Sequence, residues 1–311
     1  MYGNFWENLR NAFRYTDNSL YKLIAINLLA FLVLMILRVI LTIGGLGDFY
    51  SSALSYLMMP ASISRLIFQP WSILTYMFLH EGIFHILFNM LFLYWFGQIV
   101  NQYLGSRKLA NLYILGGLVG AVFYVLIYNL APYFSNSVDS SLMLGASAGV
   151  FAIVVGAATL SPNTSFVLLL IGPVKIKYIA IFYVVLSFAN SAGANAGGEL
   201  AHLGGALMGY LYITQLRKGV DWGIPIQKIG LLFENFFYPK KGVKVSYKKS
   251  KSSSAKPFGS SYQGTKKASK EEGSKDASQE EIDRILDKIA DRGYEALSKE
   301  EKRKLFEFSK K

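Results

Sequence analysis

Four polar residues in apolar surroundings carry the chemistry this sequence can offer: Ser147, His202, His85 and Asn89. Ser147 lies in LMLGASAGVF, residues 142–151, where G-A-S-A-G fits the G-x-S-x-G pattern of a serine-hydrolase nucleophile elbow. An elbow needs a strand, a strained turn and a helix, with the serine at the top of a sheet. Here small and apolar residues run unbroken to Leu160. The glycines therefore read as residues that thin a helix so that another can approach, not as a strand-to-helix turn. A serine alone in such a helix ordinarily bonds its own i−4 carbonyl. Within reach of a histidine base it becomes a nucleophile.

Other chemistries fare worse. The chain has no cysteine, which removes disulfides, thiolate catalysis and cysteine metal sites. A zinc protease wants His-Glu-x-x-His, with ligands four apart on one helix face. His80-Glu81-Gly82-Ile83-Phe84-His85 is one residue too long, and on a helix its rings would point about 140° apart. Aspartyl chemistry needs two carboxylates within spans, and Asp48 and Asp139 fall between them. A transporter would show more polar lining or broken helices in paired halves. No metal and no cofactor is expected.

The elements that must position these residues are membrane helices. Of 311 residues, 52% are hydrophobic and 17% charged, too apolar for a soluble chain of this length. Six stretches approach the ~20 residues that cross a bilayer: 22–43, 83–103, 108–130, 142–160, 174–190 and 199–216. Basic residues orient them by the positive-inside rule. Arg10, Arg14 and Lys22 precede span one, Arg107 and Lys108 divide spans two and three, and Lys175 and Lys177 divide four and five. Arg217 and Lys218 follow span six, whereas the opposite connections carry Arg65 alone. Both termini are expected in the cytoplasm. About twenty mostly polar residues precede a run long enough to span, unlike a cleaved signal peptide. A bacterial cytoplasmic membrane is the simplest location.

This orientation places the four polar residues at one depth. Spans two, four and six all enter from outside, which puts His85 and Asn89 in the first two turns of span two. It puts Ser147 about five residues into span four, and His202 near the outer end of span six. His85 and Asn89, four apart, share a helix face. His202, Gly205, Ala206 and Gly209 form one small-residue stripe, and Ala148, Ala152 and Gly156 form another. Such stripes let transmembrane backbones approach closely, so packing along them would bring Ser147 and His202 together. An ionisable group within a span is a functional candidate by default. His80 falls just above the bilayer, where a structural hydrogen bond is its expected role.

Segment 44–82 carries Tyr50, Tyr56, Leu57, Leu66, Ile67, Phe68 and Trp71, a pattern suited to a piece lying in the interfacial plane. Residues 164–171 read as a short re-entrant piece or loop. Most of the net charge of +12 lies beyond residue 216, which holds 23 of the 32 Lys+Arg and 14 of the 20 Asp+Glu. Anionic lipid is the expected neighbour of that charge, and nucleic acid is not. Residues 217–277 read as a basic linker, flexible above all over 240–275. A small two-helix segment over 278–311 would follow, with capping boxes Ser278…Glu281 and Ser298…Glu301, Gly293 between them, and an apolar stripe of Ile282, Ile285, Leu286 and Ile289; a merely solvated amphipathic tail fits the same pattern. Its partner is unknown.

Three motifs in order, FQPWSILTYMFLHEGIFHILFNMLFLYWFG, GASAGVF and AHLGGALMG, resemble those of rhomboid intramembrane serine proteases over roughly residues 66 to 210. The resemblance implies an all-α membrane protein: a six-transmembrane-helix bundle over 22–216, a cytoplasmic N-terminus over 1–21, a long external segment between the first two helices and a cytoplasmic tail. It implies a Ser147/His202 dyad without a carboxylate, and an oxyanion hole made by His85, Asn89 and the Ser147 backbone N–H. Gly145, Gly205, Gly209 and Phe151 would pack at the site. Substrates would be membrane-anchored proteins cut in or near a transmembrane segment. The alternative is a catalytically silent rhomboid-like protein that binds transmembrane clients as an escort or scaffold. The sequence departs from the family pattern at Ser72, where the usual Trp-Arg becomes Trp71-Ser72 and a tether of the external segment is lost. It departs again at Asn101, at Ala148 and at Phe151, which can stack on the histidine but not hydrogen-bond.

Overall fold

In the computed structural model, residues 4–15, 17–168, 171–237, 279–292 and 297–308 are described. They fall into two compact units, Met1–Gly242 and Val243–Lys311. The first unit is a bundle of six main helices: Ser19–Ile43, Ile83–Leu104, Ser106–Leu130, Ser147–Leu160, Ile176–Asn190 and Ala196–Arg217, here spans one to six. Spans one, two and three are long and apolar enough to cross a membrane; spans four and five are apolar but shorter. Leu32, Ile36 and Ile40 of span one face outward, as the side chains of a multi-pass membrane protein do towards lipid. Spans two and three are joined through Gly105 alone, whose φ of 80° is a left-handed conformation that side chains resist.

Spans three, four and six meet backbone to backbone. A Cβ on Gly205 would overlap the Ala148 carbonyl oxygen, and one on Gly209 would lie 2.5 Å from that of Ala152. The two small-residue stripes do pack together as expected. Span three, which the stripes did not implicate, is the third member: a Cβ on Gly120 would sit 2.6 Å from Ala148 Cβ and 2.8 Å from the Ala201 carbonyl, and Gly116 packs on Ala152.

The helix bounds differ from the apolar pattern where polar backbone is paired in other ways. Span four begins at Ser147, not at 142, because Leu142–Met143 is a strand, β2, antiparallel to Met59–Pro60, β1. Span five begins at Ile176 and span six at Ala196. The stretch expected to be re-entrant or a loop holds strand β3, Ser165–Leu168, paired with Gly172–Lys175, β4. Within the expected linker, Ile224–Phe237 is helical; residues 240–275 lie outside the described residues.

Segment 44–82 folds into short helical pieces, Gly47–Ser55, Ile63–Phe68 and Ser72–Thr75, and a single 3-10 turn, Tyr76–Phe78. Phe49, Tyr56, Ile67, Phe68 and Trp71 stay exposed, which suits a segment immersed at a membrane boundary. Its tethers do not need residue 72. Trp71 Nε1 donates to the Tyr56 carbonyl (2.8 Å), Thr75 Oγ1 to Leu57 (2.7 Å), Gln69 Nε2 to Met58 (3.2 Å) and Arg65 Nη2 to Ser55 (3.3 Å). Ser72 itself is buried, and so is Asn101 Oδ1, which has no partner.

In the second unit, helices Gln279–Arg292 and Lys299–Phe308 bury Ile282, Ile285 and Leu297 against Ile289 and Leu305. Leu286 remains exposed. The second capping box forms: the Glu301 N–H donates to Ser298 Oγ (3.2 Å) and the Ser298 N–H to Glu301 Oε2 (2.7 Å). Ser278 and Gly293 lie outside the described residues.

Gly205→Ala should force spans four and six apart. The expected loss is on the order of 1–3 kcal/mol, as for other overpacked interiors, read by unfolding in mixed micelles. Gly230→Ala, where nothing lies within 4 Å of the added carbon, should be neutral or mildly stabilising.

Candidate active site

Ser147 owes its position to the turn before it. Strand β2 ends at Met143, Gly145 takes φ 137°, and Ser147 is the first residue of span four. On a small scale this is a strand, a turn and a helix, so the glycine pattern does make a strand-to-helix turn, contrary to the reading of its residues as helix-thinning alone. The backbone conformation requires glycine there. Space does as well, since a Cβ on Gly145 would sit 3.2 Å from His85 Nε2 and 3.3 Å from Ser147 Oγ. Ser147 is thus at the helix start rather than five residues in, and the first bond of this helix runs from the Val150 N–H to the Ala146 carbonyl (3.0 Å). The N–H groups of Ser147, Ala148 and Gly149 belong to the turn that has no intrahelical acceptor.

The four polar residues line one cavity of about 590 Å³, bounded by spans two, four, five and six. Phe151, one turn after Ser147, stacks flat on His202 with centroids 4.2 Å apart and planes 10° apart. Ser147 and His202 are not joined by a hydrogen bond among those the described residues make. Catalytic bonds of this kind are often long before substrate arrives.

On span two, the Glu81 N–H donates to His85 Nδ1 (3.5 Å). That leaves the proton on Nε2, the nitrogen nearest Gly145, so His85 presents an N–H to the space beside Ser147. Asn89 is engaged differently from the expected oxyanion role. Its Nδ2 donates to the His85 carbonyl of its own helix (2.8 Å), the bond a structural asparagine makes. An amide has a second N–H, and Asn89 also lines the cavity.

Two residues that the motifs did not single out touch His202. Its Nδ1 lies 3.2 Å from Glu199 Oε2 and 3.2 Å from Ser187 Oγ of span five. The signal for Glu199 was present: it is the one carboxylate in spans two to six, three residues before the histidine and hence on its face. Ser187 had no such signal, since its helix partner is set by tertiary packing.

His80 makes no well-formed structural hydrogen bond; both its ring nitrogens are buried, with the Phe78 backbone as a loose neighbour. It precedes span two, so the helical angle between the two rings does not apply, and its ring meets His85 edge to face at 5.1 Å. Burial pushes the His80 imidazolium down to about 3; the adjacent His85 adds to the shift and the Phe78 backbone opposes it. Among the described residues no group of three His, Asp or Glu side chains could hold a metal ion.

Residues 68–219 match the rhomboid domain family, and residues 270–311 match a family of unknown function (DUF6576). The chain is 30% identical over 158 residues to "RHOMBOID-like protein 12, mitochondrial" of Arabidopsis thaliana, covering 48% of this chain and 47% of that protein. It is 28% identical over 158 residues to "Rhomboid-like protease 3" of Toxoplasma gondii, covering 50% and 54%. Over a shorter stretch of 82 residues it is 33% identical to "Inactive RHOMBOID-like protein 8" of Arabidopsis thaliana, covering 26% and 23%. At these longer matches the chain spans about half the length of the relatives.

The buried His80 sets a pH dependence. An unfolded histidine binds its proton near about 6.5, the folded one only near about 3. Between those limits the unfolded chain holds more protons, so stability rises with pH through that window, by at most about 1.4 kcal/mol per pH unit. Unfolding of wild type and His80→Phe in mixed micelles across the window should show a shallower slope for the variant. Equal slopes would contradict the assignment.

Proposed function

Residues 68–219 belong to the rhomboid family, and we propose that this chain is an intramembrane serine endopeptidase acting on membrane-anchored proteins in or near a transmembrane segment. The observation that carries the proposal is the sharing of one cavity by Ser147 at a helix N-terminus and by His202, stacked on Phe151. Ser147 Oγ attacks the scissile carbonyl while its proton passes to His202 Nε2, and an Oγ–C bond forms. The imidazolium then protonates the leaving amine as the C–N bond breaks. Water, deprotonated by the same nitrogen, releases the acyl group and restores the serine.

Negative charge that develops on the carbonyl oxygen needs donors already in place. The His85 Nε2–H, the second Asn89 N–H and the Ser147 backbone N–H are suited to it, and the positive end of the span-four helix adds to their effect. Phe84, Phe88 and Phe92 from span two and Tyr183 from span five give the cavity apolar walls. Such walls suit a substrate segment whose backbone must unwind to expose its carbonyl.

In this reading both termini are cytoplasmic, residues 22–216 form the protease domain, and the site opens to the outer half of the bilayer. The chain is an integral multi-pass membrane protein. The bacterial cytoplasmic location expected from the sequence draws no support from the relatives' names, which include a plant mitochondrial protein. The relative named inactive keeps an escort or scaffold function as the second reading. Against it stands the retention here of Ser147, His202 and the donors around them.

Purified full-length chain should cleave a single-span test substrate in proteoliposomes, and a fluorophosphonate should label it at Ser147. Ser147→Ala and His202→Ala should abolish cleavage. His85→Ala should lower kcat by on the order of 10²–10³-fold, as loss of one oxyanion donor does. Persistent cleavage by Ser147→Ala would overturn the proposal. Clients that co-purify intact with the wild type, without labelling, would establish the escort reading instead.

A further inference from the structure

We propose that Glu199 is a positioning residue for His202, adding a carboxylate that orients the histidine of the serine–histidine dyad. The proposal rests on the protease reading above and concerns how its base is held. Glu199 Oε2 lies 3.2 Å from His202 Nδ1, with the two side chains 18% and 14% exposed. Spacing of three places both on one face of span six, so the contact needs no distortion of the helix.

The chemistry of the partner decides which way the proton lies. Glu199 occupies the first turn of span six, where the positive end of the helix favours an ionised carboxylate. An ionised carboxylate only accepts hydrogen bonds. The proton of a neutral His202 therefore sits on Nδ1, and Nε2 is left with a lone pair, as a general base requires. Ser187 Oγ, buried at 2% exposure and also 3.2 Å from Nδ1, is the second contact on this nitrogen. Phe151 fixes the plane of the ring, and Glu199 with Ser187 fixes its rotation within that plane. When Nε2 takes the serine proton, the imidazolium charge forms beside the carboxylate, and the Nδ1 proton stays on nitrogen.

A purely structural role fits less well. The start of span six is marked by Asn195 without a side-chain cap, and the Glu199 side chain bonds His202 and Ser187 instead of a free backbone N–H. The titratable groups around His202 are few. Glu199 lies on its own helix, His85 and Glu81 reach the cavity from the span-two side, and Tyr183 does so from span five. Tyr124 of span three packs at Gly197, and span four holds no Asp, Glu, His, Lys, Arg or Tyr. Glu199 is the one anion in direct contact.

The test measures kcat, KM and pH profile of the full-length chain in proteoliposomes for wild type, Glu199→Gln, Glu199→Asp and Ser187→Ala, with fluorophosphonate labelling rates alongside. Gln keeps the shape but can donate to Nδ1 and impose the wrong tautomer. It should lower kcat and the labelling rate by on the order of 10²–10⁴-fold, the range in which losing a triad carboxylate acts. KM and the unfolding midpoint should hold, and the acidic limb of the kcat/KM profile should move to lower pH. Asp should recover part of the activity, and Ser187→Ala should lose much less than Gln does. An active wild type with an equally active Glu199→Gln of unchanged pH profile overturns the positioning role and leaves the protease reading standing. So does a rise confined to KM, which would make Glu199 a substrate contact, or a kcat loss matched by a collapsed unfolding midpoint. A wild type that neither cleaves nor labels overturns both.

Discussion

The contact on which the rest depends is the approach of span six to span four where neither has a side chain in the way. Gly205 lies against the Ala148 carbonyl and Gly209 against that of Ala152. Ala148 follows Ser147, and Gly205 is one turn from His202, so this single contact fixes the two proposed catalytic side chains relative to each other. In lipid no hydrophobic force pulls helices together; close packing must do it. That is why the seam is made of glycine and alanine, and why span three can add Gly116 and Gly120 to it without pushing it apart. The same scarcity of side chains leaves His202 needing its ring held by groups outside the seam, which Phe151, Ser187 and Glu199 supply.

A second constraint follows from starting span four at Ser147. The residues before it are extended backbone within the bundle, and in hydrocarbon every such N–H and carbonyl must be paired. Strand β1 pairs Met59 with Met143, the Ala61 N–H reaches the Ser141 carbonyl (3.1 Å), and the Gly145 N–H reaches Tyr76 (3.0 Å). Tyr76 is itself anchored by its hydroxyl on the Gly117 carbonyl (2.7 Å). Segment 44–82 is therefore more than an interfacial cover: its inner edge supplies the hydrogen bonds that let the chain turn into Ser147. The result is a helix N-terminus, with its free donors and dipole, placed at Ser147, the proposed nucleophile.

How much of this is legible in the sequence depends on the range of each interaction. The apolar helices and the packing of the stripes are read from local periodicity and from small residues whose partners lie on a neighbouring stripe, whereas the stacking of Phe151 follows from the family resemblance. The true start of span four is not, because LMLG is as apolar as the helix it precedes and only the distant Met59–Pro60 pairing makes it a strand. Span five is shortened for the same kind of reason, by the β3–β4 hairpin. Glu199 was visible three residues before the histidine, yet the motif drew attention past it. Ser187 and the anchoring role of Tyr76 depend on contacts between helices that no spacing encodes. His80 is the opposite case: its spacing from His85 is plain in the sequence, while the burial of its ring nitrogens is not foreseeable from a segment that reads as interfacial.

The two histidines of the cavity show how one residue type is given opposite tasks. Both have Nδ1 bound and Nε2 left for the reaction. At His85 the partner is a backbone N–H, so Nδ1 must accept and Nε2 carries the proton. At His202 the partner is a carboxylate, so Nδ1 must donate and Nε2 carries the lone pair. The first is thereby shaped as a donor to a developing oxyanion, the second as an acceptor for the serine proton. Exchange of the two partners would exchange the tautomers and disable both rings, although every side chain would stay in place.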